Sequence, residues 1–435
     1  LPGNAITLDV RSDNAIGFVG FENGNIETYD FHEGRIYTNN TISTNMAIQD
    51  LVIMNGKVAV RPSRSSSIYV MKYHTGEDLK EIVSEVDYYT APVSNPQGSD
   101  YFIVTIGNNG LYKVISKEGK ELASVTLNNT YATLQAFFDD TVVICSYDTI
   151  NYLNVKTGEV ESVTYESLGV EKEKLYDNYV TDNGKYAVFW DTHKIVAIDL
   201  ANRTLLLQAN TENVTGNAVI SEDGSTILVS ATDINLLKVD VATKNETVYD
   251  NDSLREISDA YSLQYLAISH DGKTAAMCCK DGKLRLVNVS NGSVIDEVPF
   301  NAKLHCSLYF TADDRHLLMQ GDDLALKIRD IEGKYYKNSF NAAYEIKRPT
   351  QAGDGYLAAC DSGYLYLFET ENYGLCAAIA YGYVYIPSDK SIIISHAGTL
   401  YSAPYKDYKA LIEEAKKQFP GAELTAEEKV RYNLN

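Results

Sequence analysis

Two kinds of tight turn recur along this chain at a shared interval, and that spacing restricts the fold more than any other feature of the sequence. One unit shows the pattern in full. A run over 263–269 ends at His270-Asp271-Gly272-Lys273, and a second, 274–279, ends at Lys280-Asp281-Gly282-Lys283. A third run, 284–289, ends at Ser290-Asn291-Gly292, and 293–298 completes the unit. Four short runs rich in β-branched and apolar residues, separated by Asp, Asn and Gly, read as antiparallel strands joined by hairpins, because glycine reaches positive φ without a Cβ clash. The first turn returns at Ser12-Asp13-Asn14, Asn55-Gly56, Pro96-Gln97-Gly98, Asp139-Asp140, Asp182-Asn183-Gly184, Glu222-Asp223-Gly224, Asp313-Asp314, Asp354-Gly355 and Ser388-Asp389. The interval is about 40 residues, the length of one four-stranded propeller blade. The third turn returns independently at Glu33-Gly34, Thr75-Gly76, Glu118-Gly119, Thr157-Gly158 and Glu332-Gly333.

Two signals in phase predict an all-β chain, a β-propeller of about ten four-stranded repeats occupying residues 1–405. Single rings usually hold about four to eight blades, so ten is a high count; one large ring is expected, and two smaller rings are the alternative. The last unit, 381–405, shows three strands. Its fourth must come from elsewhere in the chain, and the first residues are the expected donors.

The repeat resembles the WD40 family over roughly residues 6–405. A WD40 blade ends its third strand in Trp-Asp; here Tyr29-Asp30, Ile198-Asp199, Val239-Asp240, Val287-Asn288 and Arg329-Asp330 keep the acid or its amide and replace the Trp. Trp190 is the only tryptophan, and the Gly-His dipeptide of the family is absent. The resemblance therefore implies a divergent, bacterial WD40-like propeller without the family's general Asp–His–Ser/Thr–Trp network. Residues 406–435 differ in kind. Ala410, Leu411, Ile412, Ala415 and Phe419 have helical spacing, Pro420-Gly421 stops that helix, and Thr425 with Glu428 forms a capping box for a second. This helical tail resembles those that follow propellers in bacterial WD40 signalling proteins with STAND or TIR modules upstream, which implies the sensing end of a longer chain. The opening Leu1-Pro2-Gly3-Asn4 is likewise expected of a processed form or fragment.

Charge narrows the partners. With 38 Lys and Arg against 59 Asp and Glu the chain carries −21, a field that repels nucleic-acid phosphate and anionic lipid. No nucleic-acid partner is expected, and no apolar run is long enough to span a membrane. A protein or peptide partner is expected instead. The six cysteines, Cys145, Cys278, Cys279, Cys306, Cys360 and Cys376, sit in apolar strand patterns without zinc spacing. They read as buried thiols of a cytoplasmic protein, with an extracytoplasmic domain of an anchored protein as the alternative.

No catalytic constellation, metal site or cofactor is expected. His32, His74, His193 and His270 fall in turns of different repeats, and the repeated acids accept hydrogen bonds from local backbone N–H groups. Ser221-Glu222-Asp223-Gly224-Ser225 approaches a sialidase Asp-box but lacks its closing Trp. A single Trp disfavours a quinone-cofactor propeller, and neither a phosphate loop nor G-x-S-x-G occurs. Two binding features stand out. Arg61 and Arg64, in Arg61-Pro62-Ser63-Arg64, concentrate positive charge on an acidic chain and suit an anion or partner contact. The 33 tyrosines include the pairs Tyr88-Tyr89 and Tyr335-Tyr336, each of which places at least one ring at the surface by strand alternation. The expected function is a non-catalytic interaction or sensing module; the alternative is an enzyme or small-ligand binder using the central channel.

Overall fold

The computed structural model describes residues between 5 and 405. Outside the described residues lie 1–4, 406–435, the connections 63–68, 73–79, 87–91, 171–176 and 255–264, and stretches of five residues or fewer in other turns. The helical tail expected over 406–435 is therefore outside them.

The chain forms two compact units: 1–81 with Tyr401–Ala403, and 82–400 with 404–435. In the first, four strands between Ala5 and Ser43 pair in sequence order, and three strands between Ile48 and Lys72 form a second sheet.

Eight four-stranded sheets form the blades of a β-propeller; seven are antiparallel meanders lying wholly in the second unit, and the eighth takes strands from both ends of the chain. Blade 1 spans 93–126, blade 2 134–164, blade 3 177–210, blade 4 215–248, blade 5 266–299, blade 6 307–341 and blade 7 350–380. Blade 8 takes Gly382–Ile386, Ser391–His396 and Thr399–Pro404, and its outer strand is Lys80–Val83. The expectation of one ring of about ten blades is thus corrected to eight. The repeats between 5 and 72 form sheets, but they belong to the other unit. The missing strand of the last repeat does come from earlier in the chain, though from Lys80–Val83 rather than from the first residues.

Burial explains the strand sequences. The second and third strands of a blade are covered on both faces by neighbouring blades, and they read as unbroken apolar runs: Thr141–Cys145, Tyr186–Trp190 and Thr274–Cys279 are buried almost throughout. The outer strand faces solvent, and Val160–Thr164 is mostly exposed. The first strands of blades 2 to 6 lie against one another at the centre, and Gly382–Ile386 of blade 8 meets Val93–Ser94 of blade 1.

The core is divided among the blade interfaces. Val143, Phe189 and Ile198 pack between blades 2 and 3. Trp190, Ile227 and Val239 pack between 3 and 4, and Met277, Leu228 and Tyr249 between 4 and 5. Ile82, Phe102, Val104 and Ile393 close the last interface, between blades 8 and 1. Each such cluster keeps water from two sheets at once, so every blade is stabilised mainly by its neighbours. Lys117 of blade 1 adds a polar clasp there, donating to Ser388 Oγ at 2.7 Å and reaching Asp389 at 3.2 Å.

Candidate functional site

The turn between the first and second strands is built the same way in blades 3 to 6. A Ser or Thr hydroxyl donates to the carboxylate or amide oxygen two residues on: Thr181 to Asn183 (2.8 Å), Ser221 to Asp223 (2.6 Å), Ser269 to Asp271 (2.8 Å) and Thr311 to Asp313 (2.7 Å). That same oxygen accepts the backbone N–H two residues further, from Lys185, Ser225, Lys273 and Arg315. The next position takes positive φ at Gly184, Gly224, Gly272 and Asp314. The structural role expected for these repeated acids is what the structure shows at Asp223, Asp271 and Asp313. Likewise, Asp199, Asp240 and Asp330, which stand where the WD40 pattern has its Asp, accept backbone N–H groups of the following turn.

The residue between the hydroxyl and the acid behaves differently. It is Asp182 in blade 3, Glu222 in blade 4 and His270 in blade 5, and the curvature of the ring brings all three together, with ligand atoms within 4.8 Å of one another. Glu222 accepts the backbone N–H groups of Asp182 and, at 3.0 Å, Asn183, so a carboxylate of one blade secures the turn of the blade before it. Asp314 of blade 6 repeats the device, accepting the N–H groups of His270 and Asp271 at 2.8 Å each. The imidazole of His270 is held at both ends: Nδ1 lies 2.7 Å from Asp314 Oδ1, and Nε2 lies 2.8 Å from Asp182 Oδ2.

Burial disfavours the charged imidazole, but hydrogen bonds and charges from Asp182 and Asp314 outweigh it and raise the His270 pKa from 6.5 to about 10. Burial also raises Glu222; the N–H bonds from Asn183 and Asp182 oppose this, and the nearby Asp182 charge adds to it. Beside the cluster opens a cavity of about 180 Å³, lined by Asp182, Glu222 and His270 and by apolar groups including Ile220, Leu308 and Phe310.

A pH dependence follows. The His270 pKa is higher folded than unfolded, so its ion pairs stabilise the fold fully below about pH 6.5 and are lost as the pH rises towards 10. In chelator-treated protein, stability should fall across that window by at most about 1.4 kcal/mol per pH unit, less for the partial exposure of the ring. Denaturant midpoints of wild type and His270→Gln at about pH 6.5 and 9.5 test this; parallel decline of the two proteins would refute it.

Sequence spacing missed this cluster. His270, assigned to a lone surface turn, is 88 residues from Asp182 in the chain. The usable signal was positional, since ionisable residues fill the same slot of three consecutive turns, and a ring makes equivalent slots converge. Of the residues expected to bind, Arg61 lies on Lys57–Pro62 opposite Asp50. Arg64 is outside the described residues, as are His32, His74 and His193. Of the six cysteines, Cys145, Cys278, Cys279 and Cys306 are buried, and Cys360 and Cys376 partly so. Burial pushes the Cys145 thiol up to about 12, and a hydrogen bond with Tyr165 partly offsets this.

No protein-family model matches the chain, and no curated protein matches it by sequence. Solved structures match it by shape. The computationally designed Ika8 protein superposes with a TM-score of 0.55 at 14% identity, covering 75% of this chain and 100% of that one. The C-terminal WD40 domain of Sif2 gives a TM-score of 0.55 at 13% identity, covering 75% of this chain and 98% of that one. With its eight four-stranded meander blades, the chain has the fold of a WD40-like β-propeller.

Proposed function

We propose that this propeller is a non-catalytic module that binds a protein or peptide partner at its outer rim, as the interaction or sensing part of a bacterial signalling protein. One observation carries the reading. Of the seven large apolar or tyrosine side chains exposed among the described residues, six lie on outer strands: Val160, Val248, Val294, Tyr335, Tyr336 and Leu375. Tyr335 and Tyr336 are 52% and 44% exposed, and Lys334 beside them reaches the carbonyl of Ile295, so the outer strands of blades 5 and 6 meet next to the exposed tyrosine pair. Tyrosine offers large contact area with few rotors to immobilise and a polar tip, which suits an interface.

The net charge of −21 favours a basic partner. The WD40 resemblance supports a scaffold role, and the resemblance of the tail over 406–435 supports a longer signalling chain. Arg61 and Arg64 are proposed as a second, cationic contact.

Affinity capture from the source lysate, followed by direct binding to any partner recovered, tests the reading. Tyr335→Ser with Tyr336→Ser should weaken binding by about 2 kcal/mol, roughly thirtyfold, if the pair is an interface anchor. Equal binding by wild type and this variant removes the rim from the proposal. Unchanged binding by Arg61→Ala with Arg64→Ala removes the cationic contact.

A further inference from the structure

We infer that Asp182, Glu222 and His270 form a three-ligand site for a divalent transition-metal ion, Zn²⁺ in the first instance, beside the cavity that they line. The site stands apart from the outer rim, and neither reading depends on the other.

The donor set comes first. One imidazole nitrogen and two carboxylate oxygens from three consecutive blades already lie within 4.8 Å of one another, close enough to converge on one ion. A nitrogen among the donors suits Zn²⁺ better than Ca²⁺ or Mg²⁺, which prefer all-oxygen shells. The charge balance agrees. Asp182, Glu222 and Asp314 surround a single imidazole, so the cluster keeps a negative surplus even when His270 is protonated.

The orientation of His270 is the second observation. Nδ1 faces Asp314 Oδ1 at 2.7 Å, and Asp314 is itself fixed by two backbone N–H groups at 2.8 Å. A metal-binding histidine commonly has this arrangement, in which the outer ring nitrogen donates to an anchored carboxylate and the other nitrogen is aimed at the ion. On binding, the ion takes the lone pair of Nε2, the proton there leaves to solvent, and the Nδ1–H bond to Asp314 persists. Asp182 Oδ2, now 2.8 Å from Nε2, turns from hydrogen-bond acceptor to ligand. Glu222 accepts two backbone N–H bonds, which hold its carboxylate in place, and each oxygen keeps a second lone pair for the ion.

The cavity supplies the third. Its volume of about 180 Å³ lies against all three ligands, leaving a fourth position open to water or a small anion. A site closed on all sides would have no exchangeable position.

The test uses the full chain, stripped with chelator and titrated with Zn²⁺ by calorimetry. One ion per chain is expected. Asp182→Asn and His270→Gln should each weaken binding by more than tenfold, and Asp314→Asn, which removes the orienting charge but keeps an oxygen able to accept a turn N–H, by about 10–100-fold. X-ray absorption at the zinc edge of the wild-type complex, which needs no variant to fold, should show one imidazole among oxygen neighbours. The proposal is overturned by absence of stoichiometric binding, by an all-oxygen shell, or by affinity unchanged in folded Asp182→Asn and His270→Gln.

Discussion

Asp296→Ala is expected to destabilise the propeller by about 3–5 kcal/mol, the usual consequence of removing one partner from a buried ion pair. Asp296 lies on the outer strand of blade 5 and Arg329 on the third strand of blade 6. The guanidinium donates twice to one carboxylate oxygen, from Nε at 2.8 Å and Nη2 at 2.5 Å. Both side chains are nearly dry, 6% exposed for Arg329 and 12% for Asp296. Truncating the acid leaves a buried cation whose remaining compensation among the described residues is the Tyr336 ring, 5.2 Å from the guanidinium carbon. A contact of that kind is worth about 0.5–1 kcal/mol, too little to replace the carboxylate. The magnitude reflects the stranded charge rather than the net value of the pair. Asp296→Leu with Arg329→Met should therefore recover most of the loss. Guanidinium denaturation of the three proteins decides between these. A double variant as unstable as Asp296→Ala would show that packing, not charge, sets the effect.

Gly184→Ala should be comparably damaging, for a reason of backbone rather than charge. Gly184 has φ of +70°, and a Cβ there would fall onto the carbonyl of Phe137 in blade 2. A non-glycine residue at positive φ costs about 1–3 kcal/mol, and forcing an atom into a packed interface adds about 1–3 kcal/mol more. Gly282 makes the comparison sharp. Its φ is +77°, and nothing lies within 4 Å of the position its Cβ would take. Gly282→Ala should show the backbone contribution alone, about 1–3 kcal/mol. Thermal or denaturant midpoints check the order, and equal losses at the two sites would mean that the blade 2–3 interface yields freely.

The blade itself was readable from sequence because its determinants are local. Asp271-Gly272 and Asn291-Gly292 dictate turns by φ preference and side-chain capping, and the apolar runs between them report burial on both faces. How many blades join one ring is a long-range matter. Ser12-Asp13-Asn14 and Asn55-Gly56 carry the same hairpin chemistry as the ring's own turns, so a count of turns included sheets from the other unit. The strand Lys80–Val83 was invisible for a related reason, since four residues without a turn signal cannot announce which sheet they complete.

That the Tyr335-Tyr336 pair puts at least one ring at the surface was legible from strand alternation; the exposure of both follows from their place on an outer strand. The three-residue cluster was not legible. Asp182, Glu222 and His270 each look like ordinary turn residues, and Asn183, Asp223 and Asp271 beside them are just that. Their convergence is a product of ring curvature, which no pairwise spacing in the chain expresses.

The way blade 8 is assembled carries a consequence for how this protein is made. Its outer strand is Lys80–Val83 and its third strand is Thr399–Pro404, about three hundred residues later. On the ribosome the early strand must wait, its hydrogen-bonding edge unfilled, while seven blades form between it and its partner. The growing chain is for that time an open arc, with the apolar faces of blades 1 and 7 uncovered at its two ends. Loop-closure entropy makes such distant pairing a late and slow event. The nascent arc, rather than the finished ring, is thus the form in which this protein is most exposed to aggregation and to capture by chaperones.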